Sequence, residues 1–479
     1  MLILSGRPSP YIIAFILGES LLMIVGAVLA VYFRLGTSAE IFTFRYSWYR
    51  LLLVPVVLQV TFYYSDLHNF RISRPFIWTV ARLTQAMAVG TLALAVLYYF
   101  MPRLLLGRGI LFLSFIITTL LVLIWRGLYR WALQQRFLAS RLLVLGSGSL
   151  ADSIIEEIIG RSDNIYNVAG IVDLSGQGFS RRDGDEPTPE VNLSEQWASL
   201  LRAELRREAS ELVGLVNYLE VDMVVVAMDE KRGRMPLEEL LEVRMLGVPI
   251  ITGEDFYEQI AGRILADRIR PGWLIFSPGF TTNRLRNITK RAMDVAISVL
   301  GLILTLPFTL LVSVAIKLDS KGPLIYHQER TGQNGRQFQV LKFRSMVSDA
   351  EKLSGPVWAD EDDPRITRVG RLIRKLRLDE IPQMYNVLKG EMSFVGPRPE
   401  RPTFVEQLSR ELPYYQERLK AKPGITGWAQ VCHPYGSTVN AALEKLNYDL
   451  YYIKHSSISM DLMILLQTIK IILFGGGGR

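Results

Sequence analysis

Long, unbroken runs of apolar residues fill the first quarter of the chain and give way to shorter, alternating segments further on. Four such runs cover residues 11–33, 51–64, 87–101 and 109–125. The first is long enough to cross a bilayer and lacks the cleavage site of a removable signal peptide. The others are shorter, but their Tyr and Trp flanks are typical of a membrane interface. The pattern predicts four transmembrane helices in a domain over residues 1–135.

Basic residues around these runs predict their orientation. Arginines follow the second run and the fourth, namely Arg71, Arg74, Arg82, Arg126, Arg130, Arg136 and Arg141. By the positive-inside rule we expect these regions on the cytoplasmic side, although Arg45, Arg50, Arg103 and Arg108 weaken the contrast. Glu19 lies inside the first run, where it fits a helix-packing contact or, alternatively, a contact with a lipid headgroup.

Apolar strand-like segments alternate with helical ones in the middle of the chain, which is typical of a parallel sheet. We therefore predict a Rossmann-like (CoA-binding-like) α/β domain over residues 136–280, with strands at 141–145, 168–172, 221–227 and 248–251. Gly146, Gly148 and Ala151 match a dinucleotide-binding loop, but this signal is weak by itself. A polar insertion covers residues 174–190. The first interpretation is a structural or regulatory domain, and nucleotide binding at this loop is the alternative.

A fifth apolar run covers residues 295–316 and has Pro307 in its middle. Proline removes a backbone hydrogen bond and kinks or breaks a helix. Basic residues flank both ends of this run. A full span would place the C-terminal third on the opposite side of the membrane from the middle domain. We therefore expect a re-entrant membrane helix, broken at the proline, over residues 290–317, with a straight buried helix as the alternative.

Composition limits the chemistry. The 479-residue chain has a net charge of +8, which fits anionic lipids and phosphorylated ligands. A single cysteine, Cys432, excludes an internal disulfide, and the four histidines lack metal-ligand spacing. Nucleic acid is not an expected partner, because the basic residues are dispersed and no binding module is present.

The motifs with a chemical signature lie in the C-terminal third. In chain order they are K-F-R-S-M at 342–346, D-E at 379–380, G-P-R-P at 396–399, P-G-I-T-G-W at 423–428 and Y-D-L-Y-Y at 448–452. In the pair Asp379-Glu380, one carboxylate can attack a phosphorus atom while the other helps to hold a divalent cation. Both are candidate Mg²⁺ ligands, because Mg²⁺ prefers oxygen ligands together with substrate phosphates.

Cations near this pair fit phosphate chemistry. Lys342, Arg344, Arg374 and Arg398 can neutralise phosphoryl oxygens or orient the carboxylates. Asp379 is predicted as the N-cap of a helix that ends at Gly390. An isolated D-E pair is more often an ordinary helix cap, but several motifs in order within one third of the chain favour a catalytic site.

These motifs resemble those of the bacterial sugar transferase family, the polyprenyl-phosphate hexose-1-phosphate transferases or monotopic phosphoglycosyl transferases. The resemblance covers a mainly helical catalytic domain over residues 286–479, and the upstream domains look like those of long-form members that initiate exopolysaccharide or O-antigen synthesis. It implies transfer of a sugar-1-phosphate from a UDP-sugar to undecaprenyl phosphate, with release of UMP and with Mg²⁺ as cofactor. It also implies a protein of the bacterial inner membrane whose catalytic domain is on the cytoplasmic face.

The resemblance also implies residue roles. Asp379 is the expected nucleophile, forming a covalent phosphosugar intermediate, and Glu380 is its partner. Lys342, Arg374 and Arg398 match other active-site positions. The candidates for substrate or phosphate binding are Arg344, Pro397, Pro399, Asp449 and Tyr452.

Two segments depart from the family pattern. Leu306-Pro307 stands where members often have Ser-Pro, although the proline is retained. Cys-His-Pro-Tyr-Gly at 432–436 stands where many members have Asn-Gly-Arg, so the sequence does not predict the sugar.

Two other classes of protein remain as alternatives. A membrane-tethered nucleotide-sugar dehydratase or epimerase needs a Tyr-x-x-x-Lys pair, and no tyrosine in residues 141–265 has a lysine four positions later. A non-enzymatic assembly or regulatory protein of a polysaccharide system would not need the carboxylates and cations to converge.

Two further predictions concern the assembly and the C-terminal end of the chain. A homodimer is expected by analogy only. The apolar run 460–474 is predicted to lie in the membrane interface.

Overall fold

The computed structural model describes most of the chain, in ordered stretches. These are residues 10–36, 49–67, 76–104, 107–134, 139–146, 148–160, 165–172, 179–180, 211–228, 235–269, 271–280, 283–347, 363–433, 436 and 438–474. The chain divides into two compact units, Met1–Ala261 and Gly262–Arg479. Each unit contains buried hydrophobic clusters of its own.

Four apolar helices begin the first unit, as predicted. They are α1 (Pro10–Leu35), α2 (Tyr49–Tyr64), α3 (Phe76–Phe100) and α4 (Arg108–Gln134). By length and composition α1, α3 and α4 can each cross a membrane, whereas α2 has only 16 residues. The chain is therefore a membrane protein.

The start of α3 differs from the prediction. Arg82, which we expected in a loop before the third apolar run, lies inside the helix. Its guanidinium lies 5.3 Å from the centre of the Trp78 ring, and such a contact stabilises a cation next to an apolar surface. The prediction was wrong because an apolar run is bounded by a charged residue, whereas the helix already begins at Phe76, before Arg82.

A buried ion pair joins α1 and α4. Arg126 Nε lies 2.7 Å from Glu19 Oε1, and both side chains are almost fully buried. The same guanidinium donates to the carbonyl of Leu67 at 2.8 Å and lies over the ring of Phe15. The helix-packing interpretation of Glu19 is therefore confirmed.

A five-stranded sheet follows in the same unit. Its strands are β1 (Ser140–Leu145), β2 (Tyr166–Val172), β3 (Phe179–Ser180), β4 (Met223–Val226) and β5 (Ile250–Thr252), in the order β3-β2-β1-β4-β5. Only β3 is antiparallel to its neighbour. The helices between them are α5 (Ser149–Ile159), α6 (Glu211–Tyr218), α7 (Leu237–Met245) and α8 (Gly253–Ala261). The alternating α/β pattern is confirmed, and its Rossmann-like character stays a prediction.

Part of this prediction falls outside the described residues. Apart from β3, the polar insertion predicted over residues 174–190 is not described.

The central strand β1 is fully buried from Leu142 to Leu145. Such burial is expected for a parallel strand with both faces covered.

The second unit begins with α9 (Pro271–Phe276) and α10 (Arg284–Asp319). Helix α10 has 36 residues and runs continuously through Pro307. The helix is therefore not interrupted at the predicted break. One missing backbone hydrogen bond can be accommodated when the neighbouring turns keep theirs. Helix α10 is long and apolar enough to cross a membrane. Its re-entrant path stays a prediction.

The rest of the second unit is mainly helical. Its elements are β6 (Ile325–Thr331), β7 (Gln337–Phe343), α11 (Arg368–Lys375), α12 (Gln383–Lys389), β8 (Ser393–Val395), α13 (Pro402–Glu411), β9 (Gly424–Thr426), α14 (Trp428–Cys432), α15 (Val439–His455) and α16 (Ile458–Phe474). Strands β6 and β7 form an antiparallel pair, and β8 and β9 form a parallel pair.

The first turns of α10 are built into this unit. Lys290 Nζ donates to the carbonyl of Val395 at 3.0 Å. The guanidinium of Arg291 donates to the carbonyls of Val387 and Leu388 at 2.5 and 2.7 Å. The start of the membrane helix therefore supports both the end of α12 and the end of β8.

Residues 262–280 also lie in the second unit, although we expected them at the end of the middle domain. The carbonyl of Gly262 accepts a hydrogen bond from the indole of Trp428 at 2.9 Å. The backbone N–H of Ala266 donates to Asn447 Oδ1 at 2.8 Å. Because both partners are buried, this segment is part of the folded unit that contains the predicted catalytic residues.

Candidate active site

The two adjacent carboxylates lie on a short 3₁₀ turn, Leu378–Glu380, between α11 and α12. Arg377 precedes the turn with φ 57° and ψ 20°, a left-handed conformation that is uncommon for a side chain other than Gly, Asn or Asp. The predicted N-cap role of Asp379 was wrong, because α12 starts only at Gln383, after Pro382. The predicted helix end at Gly390 is confirmed, with φ 87° at that glycine.

Glu380 is held by two cations from different elements. Arg398 Nη2 donates to Glu380 Oε1 at 2.9 Å, and Lys342 Nζ lies 3.7 Å from the same oxygen. The Glu380 side chain is only 12% exposed, so it faces these charges with little competition from water. Lys342 belongs to β7, and Arg398 follows β8. Residues far apart in the sequence therefore meet at one carboxylate.

Asn386 fixes the distance between these elements. Its amide accepts from the backbone N–H of Leu341 at 3.0 Å and donates to the carbonyl of Gln339 at 2.8 Å. The Asn386 amide thus makes the kind of paired hydrogen bonds with the backbone of β7 that a neighbouring strand would make. It ties α12, just after the carboxylates, to the strand that carries Lys342.

Arg398 lies in a tightly held segment that we call the arginine turn (residues 396–400). Pro397 and Pro399 are buried and restrict the backbone on both sides of Arg398. The carbonyl of Pro397 accepts from the backbone N–H of Gly424 at 2.9 Å. The carbonyl of Pro399 accepts from the guanidinium of Arg330 at 3.1 Å. The two prolines therefore shape the backbone that presents the Arg398 side chain.

The charges in this cluster displace its pKa values. Burial lowers the pKa of Lys342 from 10.5 to about 8, although the negative charge of Glu380 opposes this shift. Burial and the neighbouring Glu380 raise the pKa of Asp379. Lys342, Arg374 and Arg398 oppose that rise, which places Arg374 within electrostatic reach of Asp379. The two members of the carboxylate pair thus have different environments.

Glu380 shows the opposite balance. Burial by itself would raise the pKa of Glu380, but the charges of Arg398 and Lys342 outweigh it and hold this pKa below its usual range. Glu380 therefore stays a carboxylate at neutral pH. Asp379 is the more basic of the two, as suits the attacking group of a pair that divides its tasks.

Three predicted binding residues lie elsewhere in the fold. Arg344 is buried and donates to the carbonyls of Pro323 and Ser320, both at 2.7 Å, next to the C-terminal end of α10. The hydroxyl of Tyr452 donates to Asp461 Oδ1 at 2.7 Å. Asp449 forms a buried ion pair with Arg418 at 2.8 Å. In the described part of the chain, these three side chains bond to other groups and not to the carboxylate pair.

The residues that fit a divalent cation are few. Among the described residues, no group of three or more His, Cys, Asp or Glu side chains could hold a metal ion. Asp379 and Glu380 are adjacent, and Glu380 Oε1 is engaged by Arg398. This donor set fits Mg²⁺ held by one or two carboxylate oxygens and completed by substrate phosphates and water.

The glycine loop of the first unit has a clear packing role. Gly146 has φ 120°, and a Cβ atom there would lie 2.6 Å from the carbonyl oxygen of Ala227. Gly148 directly precedes α5, and Ala151 is buried in it. The loop thus lets β1 and β4 approach closely at their carboxyl ends. Nucleotide binding at these three residues stays a prediction.

Two supporting residues were missed from the sequence. Arg418 and Arg330 both donate to backbone carbonyls of the arginine turn, and neither was given a role. Each is one basic residue among many, and no local pattern distinguishes a cation that binds a carbonyl from one that faces solvent.

Comparisons with known proteins agree with the geometry. Residues 285–475 match the family model described as bacterial sugar transferase. The UDP-N-acetylgalactosamine-undecaprenyl-phosphate N-acetylgalactosaminephosphotransferase of Aeromonas hydrophila is 42% identical over 235 residues, which are 48% of this chain and 54% of that protein. The undecaprenyl-phosphate glucose phosphotransferase of Komagataeibacter xylinus is 33% identical over 385 residues, 76% of this chain and 65% of that protein.

A third relative is matched over more of its length. The UDP-glucose:undecaprenyl-phosphate glucose-1-phosphate transferase of Caulobacter vibrioides is 40% identical over 205 residues, 42% of this chain and 76% of that protein. The match to the first two relatives spans between about half and two thirds of their length. Taken with the convergence of Lys342, Glu380 and Arg398, these matches show that the chain belongs to the bacterial sugar transferase family.

Proposed function

We propose that this protein transfers a sugar-1-phosphate from a UDP-sugar to undecaprenyl phosphate and releases UMP. The observation that carries the proposal is Glu380, a largely buried carboxylate fixed by Arg398 and Lys342 next to the more basic Asp379. The names of the relatives support the acceptor, because all three include undecaprenyl phosphate. In the proposed setting, the reaction is the initiating step of exopolysaccharide or O-antigen synthesis.

The proposed reaction has two steps. A carboxylate oxygen of Asp379 attacks the sugar-linked phosphorus of the donor, the bond to the bridging oxygen breaks, and UMP leaves with that oxygen. An oxygen of undecaprenyl phosphate then attacks the same phosphorus, and Asp379 leaves as a free carboxylate. Two steps let one small site receive a soluble donor and a lipid acceptor in turn.

The other residues of the cluster support this exchange electrostatically. Lys342 and Arg374 face the charge that develops on the transferred phosphoryl group. Asp379 and Glu380 would hold Mg²⁺, which supplies charge neutralisation on the phosphate oxygens when it is bound. Arg398 keeps Glu380 ionised and in place.

The proposed location is the cytoplasmic face of the bacterial inner membrane. Helix α10 would dip into the bilayer and return to the same face by bending at Pro307 without an interruption of the helix, because basic residues flank both of its ends. Helix α16 would lie in the interface, since Leu462, Ile469 and Ile472 are exposed on it. A soluble nucleotide-sugar donor and a lipid acceptor can both reach a site placed there.

The decisive experiment measures UMP release by membranes that contain the protein, undecaprenyl phosphate, Mg²⁺ and one UDP-sugar at a time. We expect release with one donor, and loss of release in Asp379→Asn. Asp267→Asn is the matched control, because this carboxylate is 43% exposed and pairs with its neighbour Arg268. Release that survives Asp379→Asn would contradict the assigned nucleophile. No release with any donor would favour the non-enzymatic alternative.

A further inference from the structure

Arg418 is the most heavily engaged guanidinium near the arginine turn. It lies on the 3₁₀ turn Tyr415–Lys420 and is only 5% exposed. Nη2 and Nε lie 2.8 and 3.1 Å from Asp449 Oδ2, and Nη1 donates to the hydroxyl of Tyr415 at 2.7 Å. Nη2 also donates to the carbonyl of Arg398 at 3.0 Å. All three of its nitrogens therefore have fixed partners.

The contact to Arg398 completes a continuous set of bonds along the arginine turn. The carbonyl of Glu400 accepts from the backbone N–H of Thr331 at 2.9 Å. Together with the bonds to Pro397 and Pro399, every carbonyl from 397 to 400 then has a donor. Arg418 binds the carbonyl of Arg398, and the side chain of Arg398 binds Glu380. The backbone of Arg398 is thus fixed from one side and its guanidinium from the other.

We propose that Arg418, held by Asp449, is a positioning residue for the proposed transfer: it fixes the carbonyl of Arg398 and thereby the reach of the Arg398 guanidinium to Glu380. This inference rests on the proposed function. It also gives Asp449 a role different from the one predicted, since Asp449 binds Arg418 rather than substrate.

The geometry requires a guanidinium at position 418. Lysine presents one compact ammonium group on a flexible stem, whereas arginine presents a planar fork that can meet several partners in fixed directions. A lysine could pair with Asp449 or approach the carbonyl of Arg398, but it cannot bind both and the Tyr415 hydroxyl with the same directions. Arg418→Lys therefore keeps the buried positive charge and removes the positioning.

The test uses the full-length protein in membranes, with undecaprenyl phosphate, Mg²⁺ and the active UDP-sugar. For Arg418→Lys we expect kcat to fall by about tenfold to a hundredfold, as is typical when supporting residues around a site are changed. We expect KM for the donor to stay within about twofold, since positioning acts on the reacting geometry. Arg410→Lys is the matched control, because Arg410 is 76% exposed and pairs with Glu406, one helical turn away on the same helix. It should behave as wild type.

A second measurement does not depend on activity. Hydrogen exchange at the amides of Gly424 and Thr331 reports the arginine turn, because these amides donate to the carbonyls of Pro397 and Glu400. Exchange should be faster in Arg418→Lys than in wild type and unchanged in Arg410→Lys. Tyr415→Phe removes one partner of Arg418 without unpairing a charge, so it should change both readouts in the same direction by a smaller amount.

The outcomes separate the two proposals. Unchanged exchange in Arg418→Lys, or a loss confined to KM, would overturn the positioning role. If Arg418→Lys does not accumulate as folded protein, Tyr415→Phe and Asp449→Asn decide by the same two readouts. Wild-type protein that is inactive with every donor would defeat the proposed function, and the exchange rates would still show whether Arg418 fixes the turn.

Discussion

At the scale of single residues, the candidate site is defined by how burial and charge act on four side chains. Lys342, Asp379, Glu380 and Arg398 could be predicted from the sequence, because each lies in a short motif with a chemical purpose. Arg344, Asp449 and Tyr452 lie in the same motifs but point to other partners. The direction of a side chain depends on tertiary packing, which a motif does not contain.

The displaced pKa values predict the pH dependence of UMP release. The proposed reaction needs Asp379 ionised. Because the pKa of Asp379 is raised, activity should be lost on acidification at a higher pH than with an ordinary aspartate. It also needs Lys342 protonated, and activity should fall as the pH rises through about 8. Initial rates across pH 4 to 10 should therefore give a bell-shaped profile.

A substitution at Lys342 tests the basic side of this profile. Arginine stays protonated to far higher pH, so Lys342→Arg should remove the fall near pH 8 even if the maximum rate is lower. Lys389→Arg is the matched control, since Lys389 is half exposed and should leave the profile unchanged. If the fall in activity near pH 8 persists in Lys342→Arg, that fall must come from the titration of another group.

The bond between Arg398 and Glu380 predicts a large kinetic effect. Arg398→Ala leaves Glu380 buried without its closest cation, and we expect kcat to fall by about a hundredfold or more. Arg401→Ala, at the neighbouring arginine outside the turn, is the comparison. A loss confined to KM in Arg398→Ala would instead indicate a role in donor binding only.

At the scale of elements, predictions succeeded where the pattern was periodic and failed where a single residue was taken as a boundary. The four parallel strands follow from apolar segments between turn residues, and the structure has them near the expected positions. The break at Pro307 and the N-cap at Asp379 were wrong. In both cases the neighbouring turns decide the boundary, and the residue type alone does not.

The close approach of β1 and β4 predicts a stability difference between two glycines. Gly146→Ala places a Cβ atom against the backbone of Ala227 at a positive φ, so it should lower the melting temperature clearly. Gly247→Ala also has a positive φ, 89°, but meets nothing within 4 Å, and only the conformational cost of about 1–2 kcal/mol applies. Equal melting temperatures for the two variants in detergent would contradict the packing role of Gly146.

At the scale of the whole molecule, the membrane topology is the main question that the sequence raised. The structure confirms long apolar helices, and the proposed re-entrant path rests on the charges at both ends of α10. Length does not decide it. At 1.5 Å per residue the helix is about 54 Å long, well beyond the ~30 Å of a hydrocarbon core.

Cysteine accessibility tests the path of α10. In a Cys432→Ser background, Arg284→Cys and Lys321→Cys place thiols at exposed positions on the two flanks of the apolar segment. A re-entrant helix predicts that both react with a membrane-impermeant reagent only from the cytoplasmic side, as Glu406→Cys on α13 should. Labelling of the two flanks from opposite sides would show a full span.

The contacts of Lys290 and Arg291 have a consequence for how this protein can exist outside a membrane. The helix predicted to anchor the protein also supports the fold around the candidate site, because its first turns hold the ends of α12 and β8. A protease that cut between Asp319 and Leu324 would leave a C-terminal fragment that loses these contacts as soon as it separates from α10. We therefore expect a form shed in this way to lose its activity, which would confine the proposed transfer to the membrane surface.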